Sequence, residues 1–201
     1  MAWAKNGTPL TLGSALDDMD INDLTATKFN QFMLHTLRVG TGVGNNYRCL
    51  TTFDNNGATD YAWRRSVNDG GEALVVDQSS IDFDDGMEDA ADKFFVIYGC
   101  NIDGEEKLFI SNQCQSNLIA GAGQYPQRQS LVAKVDVSTN TGQYTDIDIN
   151  NDLAGSYDTS SNFSALGSDI TDLYVVQDGA IFYETDTNKA YVLYNGSWTE
   201  L

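Results

Sequence analysis

The chain has 201 residues and a formal net charge of −18, from 11 Lys and Arg against 29 Asp and Glu. That length suits one domain with a real core, or one domain plus a small appendage, without disulfides or metal to hold it together. The charge excludes a basic surface for nucleic acid or for an anionic membrane, because both need clustered Lys and Arg and the densest basic site is Arg64-Arg65.

In chain order, the opening "MAWAKNGTPLTLGSALDD" lacks the basic start and apolar run of a secretion signal, and no segment is apolar over a membrane-spanning length. Synthesis in a cytoplasm is the expectation. Short β-rich segments then recur between clusters of Gly, Asn, Asp and Ser. They predict strands over 8–12, 19–24, 29–39, 47–53, 62–67, 79–83, 93–102, 107–114, 129–137, 143–149, 161–166 and 173–176, then a terminal meander. The stretch "DKFFVIYGCNI" reads as a central strand, apolar on both faces, and "DGEE" as the tight turn after it. In "YTDIDIN" the break between Tyr144 and Ile147 reads as a bulge or a register slip. The only helix candidates, 25–30 and 87–92, read equally well as turns.

This pattern predicts an all-β protein, an antiparallel jelly-roll-like β-sandwich over residues 1–170. Residues 1–18 are a candidate N-terminal arm, and 171–201 a small aromatic module packed on the sandwich. In that module Ile181, Tyr183 and Thr185 alternate with Phe182 and Glu184. After a polar turn, Tyr191 and Leu193 alternate with Val192 and Tyr194. Asn195-Gly196 is the residue pair best suited to a type I′ turn, and 197–201 folds back as a last strand. Phe182, Tyr191, Tyr194 and Trp198 are its candidate assembly surface.

Chemistry is sparse. His35 is the sole histidine, with no partner at metal or triad spacing, and is expected to be a solvent-facing or hydrogen-bonded strand residue. No nucleophile elbow or P-loop occurs, "GTGVGNNYRC" leads into a strand and not a helix, and no catalytic residue is assigned. "IDFDDGMED" fails as an EF-hand, since Ile81 and Phe83 fall where oxygen ligands belong. "DNNGATD" offers Asp54, Asn56 and Asp60 as a candidate structural Ca²⁺ loop, against a plain hairpin loop on Asn56-Gly57. Trp63 beside Arg64, and Tyr125 in "AGAGQYPQR", are candidate sugar-stacking platforms, against the commoner reading of strand aromatics as core. Cys49, Cys100 and Cys114 cannot all pair within one chain; a Cys100–Cys114 bridge competes with burial as small hydrophobes. The sequons at Asn6, Asn162 and Asn195 read as turn composition.

Four motifs carry a resemblance: "DYAWRR" at 60–65, "IDGEEKL" at 102–108, "AGAGQYPQR" at 120–128 and "LGSD" at 166–169. Together they resemble a family of phage-encoded structural proteins of environmental tailed viruses, over most of residues 20–170. The terminal "ETDTNKAYVLYNGSW" is similar to small C-terminal modules of phage tail and fibre proteins. The resemblance implies a non-enzymatic virion protein, a capsid decoration protein or a head or tail fibre subunit. Its implied partners are other copies of itself and other virion proteins. The alternative is a carbohydrate-binding adhesin that reads host surface glycans. No catalytic residue comes with the family.

Overall fold

A computed structural model describes residues 3–39, 46–85, 91–116, 125–136, 142–169, 179–184, 189–195 and 197–201, without the side chains of Phe182 and Glu184. Among the described residues there is no helix. The chain divides into two units, Ala2–Asp169 and Ile170–Leu201.

The larger unit runs β1 (Ala4–Lys5), β2 (Leu10–Thr11), β3 (Asp18–Ile21), β4 (Phe29–Thr36), β5 (Leu50–Phe53), β6 (Tyr61–Val67), β7 (Ala73–Gln78), β8 (Ile81–Asp82), β9 (Lys93–Cys100), β10 (Lys107–Gln115), β11 (Gln127–Val135), β12 (Ile147–Asn150) and β13 (Asn162–Ser168). One nine-stranded sheet has the order β1-β13-β4-β9-β10-β11-β6-β7, with β2 also on β13; a four-stranded sheet has the order β3-β12-β5-β8. All pairings are antiparallel. The architecture is an all-β, sandwich-like fold.

The two inner faces meet in one core. Phe53 of the small sheet stacks on Phe109 of the large one, centroids 4.5 Å apart, and Tyr144 lies 4.7 Å from Phe53. Inward positions on β4, β9, β10 and β11 supply Phe32, Leu34, Phe95, Ile97, Phe109 and Leu131, all nearly inaccessible to solvent. Strict alternation on these long strands is what a half-buried sheet requires.

Several expectations are corrected. The strand beginning at Lys93 is central but not buried on both sides: Phe95 and Ile97 are inward, whereas Phe94 and Tyr98 are 41% and 44% exposed. Nor is the N-terminal segment an arm, because Ala4 and Lys5 pair with Gly167 and Leu166, and Leu10 and Thr11 with Phe163 and Asn162. The break after Tyr144 is neither bulge nor slip. The strand starts at Ile147, and Tyr144 is held ahead of it by Asn101, whose Oδ1 accepts from Tyr144 N at 2.9 Å and whose Nδ2 donates to Tyr144 O at 3.1 Å. Strand β7 was not anticipated, and only Ile81–Asp82 of the expected 79–83 is strand. Of the helix candidates, 25–28 is irregular and leads into β4, while 87–90 lies outside the described residues, as does the expected strand 173–176. Cys100 pairs with Leu108 and Cys114 with Phe94, so the two thiols sit at opposite ends of one ladder and are unbridged. Cys49 is buried, but Cys114 is exposed.

The smaller unit is an antiparallel meander of β14 (Ile181–Glu184), β15 (Lys189–Tyr194) and β16 (Ser197–Glu200). Tyr194 pairs with Ser197 across a two-residue connection in which Asn195 has φ 48°, the left-handed conformation that Asn tolerates best after Gly.

Candidate functional site

Two features of the larger unit stand out. The first is the outward face of the nine-stranded sheet. A single cross-strand row reads Gln31, Tyr98, Ile110, Val132, Arg64 and Leu74 from β4 to β7. The next row reads Phe29, Cys100, Leu108, Lys134 and Ala62. Ile110, Leu108 and Val132 are 55%, 52% and 50% exposed, so the face is apolar and open. Its cations are tied to acids from beyond the face: Arg64 to Glu72 at 3.3 Å, Lys134 to Glu106 at 2.6 Å, and Arg128 to Asp69. Among the described residues, no outward position of β4, β6, β9, β10, β11 or β13 is Asp or Glu. Between β6, β7 and β11 the surface dips into a shallow depression of about 410 Å³, lined by Arg64, Leu74, Val76, Val132 and Lys134.

The second feature is a charge cluster buried between the sheets. Lys93 opens β9 at an inward position; it and Asp84, just after β8, are ion-paired with side chains fully shielded from solvent. Lys93 Nζ also donates to Tyr47 O at 3.1 Å and lies 4.5 Å from the Tyr47 ring centroid, a cation–π contact. Asp84 Oδ1 accepts from Cys49 N at 3.0 Å, and Asp82 Oδ1 accepts from Asp84 N at 3.3 Å. The Asp82 and Asp84 side chains are hydrogen-bonded to each other. Arg48 stands 3.6 Å from Asp82 and also pairs with Asp152. Tyr47 and Tyr157 close the cluster edge to face, 5.3 Å apart.

Burial pushes the Asp82 carboxyl up, Asp84 beside it adds to the shift, and Arg48 offsets only part, so it titrates at about 9. Asp82 is therefore protonated at neutral pH and donates to its neighbour. Burial also works against ionised Asp84, but the Lys93 ammonium, the Asp82 proton and the Cys49 amide together hold it below the usual carboxylate range. The Cys49 thiol is raised by burial and is no nucleophile at neutral pH.

The residues singled out by sequence fall elsewhere. Trp63 is 8% exposed and its Nε1 donates to Asp85 at 3.1 Å, so its ring belongs to the core and offers no sugar platform. Arg64 points to the opposite face. Tyr125 is 72% exposed, but precedes Val132, the strand neighbour of Arg64, by seven residues. At roughly 3.3 Å per residue that is about 20 Å, too far for one platform.

The three candidate Ca²⁺ ligands are engaged by other groups of the protein. Asp54 Oδ1 accepts from Thr145 N at 2.8 Å and Asp146 N at 3.0 Å. Asn56 Nδ2 donates to Asp60 at 3.1 Å, and its Oδ1 accepts from Ala58 N at 3.0 Å. Among the described residues no group of three or more His, Cys, Asp or Glu is arranged to hold a metal ion. His35 is exposed on β4.

In the small unit Tyr191 and Trp198 share a face, because Trp198 pairs with Leu193, two residues on from Tyr191. Phe182 pairs with Tyr191, its side chain lying outside those described, and Tyr194 faces the other way. The four aromatics do not form one surface.

Neither the outward face nor the buried cluster had been picked out. A signal existed for the second: a lysine at an inward position, opening the most apolar strand of the chain, is costly unless an acid meets it. In comparisons with known proteins, no family model matches the chain, and neither a curated protein nor a solved structure does.

Proposed function

We propose that this protein is a non-enzymatic structural subunit of a virus particle, a jelly-roll-like sandwich that meets further copies of itself through the outward face of its nine-stranded sheet. One observation carries the reading: a chain of net charge −18 shows exposed apolar residues at the centre of its broadest sheet face and no Asp or Glu at the described outward positions of β4, β6, β9, β10, β11 and β13. Open apolar patches rimmed by polar groups mark contact surfaces. Two like faces can meet there without opposing carboxylates, whereas the rest of an acidic surface repels its own copy. The virion setting comes from the sequence motifs at 60–65, 102–108, 120–128 and 166–169. Capsid decoration and a head or tail fibre both fit a repeated, self-contacting sandwich. The adhesin alternative keeps Arg64 and Tyr125, since Trp63 is core.

The test is sedimentation of the full chain beside the double variant Ile110→Glu, Val132→Glu. Both positions are half exposed, so the variant keeps its fold by circular dichroism. Self-association by the native chain, lost in the variant, is the expected result. A native chain that stays monomeric at every concentration overturns the self-contact. Gold-labelled antibody on intact particles then tests the setting, and unlabelled particles with an accessible epitope overturn it.

A further inference from the structure

We propose that Lys93 and Asp84 condense to a side-chain amide, an internal covalent cross-link between the two sheets of the larger unit. This does not rest on the assembly reading. Asp84 follows β8 of the small sheet and Lys93 opens β9 of the large one, so the bond joins the two layers.

The arrangement holds each part the reaction needs. Lys93 is the nucleophile and Asp84 the electrophile, in contact and sealed from bulk water. In a site of low dielectric, a proton moved from the ammonium to the carboxylate turns the ion pair into amine and carboxylic acid, the reactive forms. Lys93 Nζ then adds to Asp84 Cγ. Negative charge develops on Asp84 Oδ1, where the Cys49 amide already donates at 3.0 Å in the manner of an oxyanion hole. Asp82, hydrogen-bonded to the Asp84 carboxyl, gives its proton to the departing hydroxyl and regains one from the nitrogen. The C–N bond forms, one C–O bond breaks and one water leaves. No oxidant, metal or cofactor takes part, and Asp82 ends as it began.

Burial supplies the driving force. A buried ion pair costs desolvation that its own attraction only partly returns. Condensation abolishes both charges, and a released water has little chance to return for hydrolysis. Arg48, between Asp82 and Asp152, closes the cluster on the side of Asp82.

Intact mass of the denatured full-length protein tests this directly. The expected mass is lower than that of the sequence by one water. Trypsin should then leave Lys93 uncut and release residues 66–107 as one peptide, also short by one water. An Asp-Gly succinimide, for which Asp69-Gly70, Asp85-Gly86 and Asp103-Gly104 are sites in that peptide, loses water too. It leaves Lys93 cleavable and opens in mild base, so the digest separates the two. Asp84→Asn should lose one ammonia in place of water, and Asp82→Asn should retain full mass with Lys93 cut. Native protein of full mass, cleaved at Lys93 after unfolding, overturns the proposal whether or not any variant folds.

Discussion

Asp20 and Asp148 face each other directly across β3 and β12. Burial first, and the opposed carboxylate second, raise Asp20 from 3.8 to about 6, and Asp148 is shifted the same way. Both acids hold protons more tightly in the fold than in the unfolded chain. Their contribution is therefore intact below the unfolded pKa and is lost as pH rises through about 6. Asp20→Asn removes the titrating group while keeping its shape. The variant should melt above the native protein at about pH 7.5, with the gap closing towards about pH 4. Equal melting temperatures across that range would mean that neither burial nor the opposed carboxylate raises Asp20. Asn6, by contrast, has its whole side chain engaged. Its Oδ1 accepts from Thr25 N at 2.7 Å, and its Nδ2 donates to Thr25 O and Asn30 Oδ1, both at 3.0 Å. Asn6→Ala strands several buried groups and should cost about 2–4 kcal/mol in chemical denaturation. A loss under about half a kcal/mol would show that water replaces the clasp. The same engagement removes Asn6 from consideration as a glycosylation acceptor in the folded protein.

At the scale of elements, most strands are legible because their burial alternates. Lys107–Gln115 and Gln127–Val135 show the period of two along their length, and the expected boundaries there err by only one or two residues. Where alternation fails, so does the reading. "ALVV" in β7 is an unbroken apolar run on an edge strand, with Leu74 and Val76 exposed to 65% and 63%. β1 and β2 are two residues each, too short to show a period, and it is pairing with β13 that makes them strands. Gly167 in β13 shows how closely that segment packs: a Cβ there would meet Asn6 Nδ2 and Thr27 Oγ1, each at 2.7 Å. The buried cluster was hidden for a different reason. Lys93, Asp84, Asp82 and Cys49 come from three segments of the chain, and no spacing rule brings them together before the sheets have packed. The outward face was hidden because apolar residues on both sides of a strand suggest burial on both sides, which β9 does not have.

For the whole molecule, charge and apolar surface oppose each other. Copies carrying −18 repel at low ionic strength, while the contact proposed for the sheet face is largely apolar. Self-association should therefore strengthen as salt is raised from about 50 mM to about 500 mM, where screening falls to a few ångströms. Sedimentation that shows weakening instead would assign the contact to ion pairs across the interface. The rims of the large sheet bear on the kind of assembly proposed. One lateral rim is formed by β1 and β2, two residues each. The other is β7, whose pairing with β6 is irregular between Tyr61 and Trp63, and whose Asp77 has φ 54°. Neither rim presents a straight run of amides on which a further strand can be laid. Growth by adding strand to strand, the route to amyloid-like ribbons, is thus blunted at both ends. For the repeated subunit proposed above, blunt rims would keep contacts to the sheet face and stop open-ended growth along the strands.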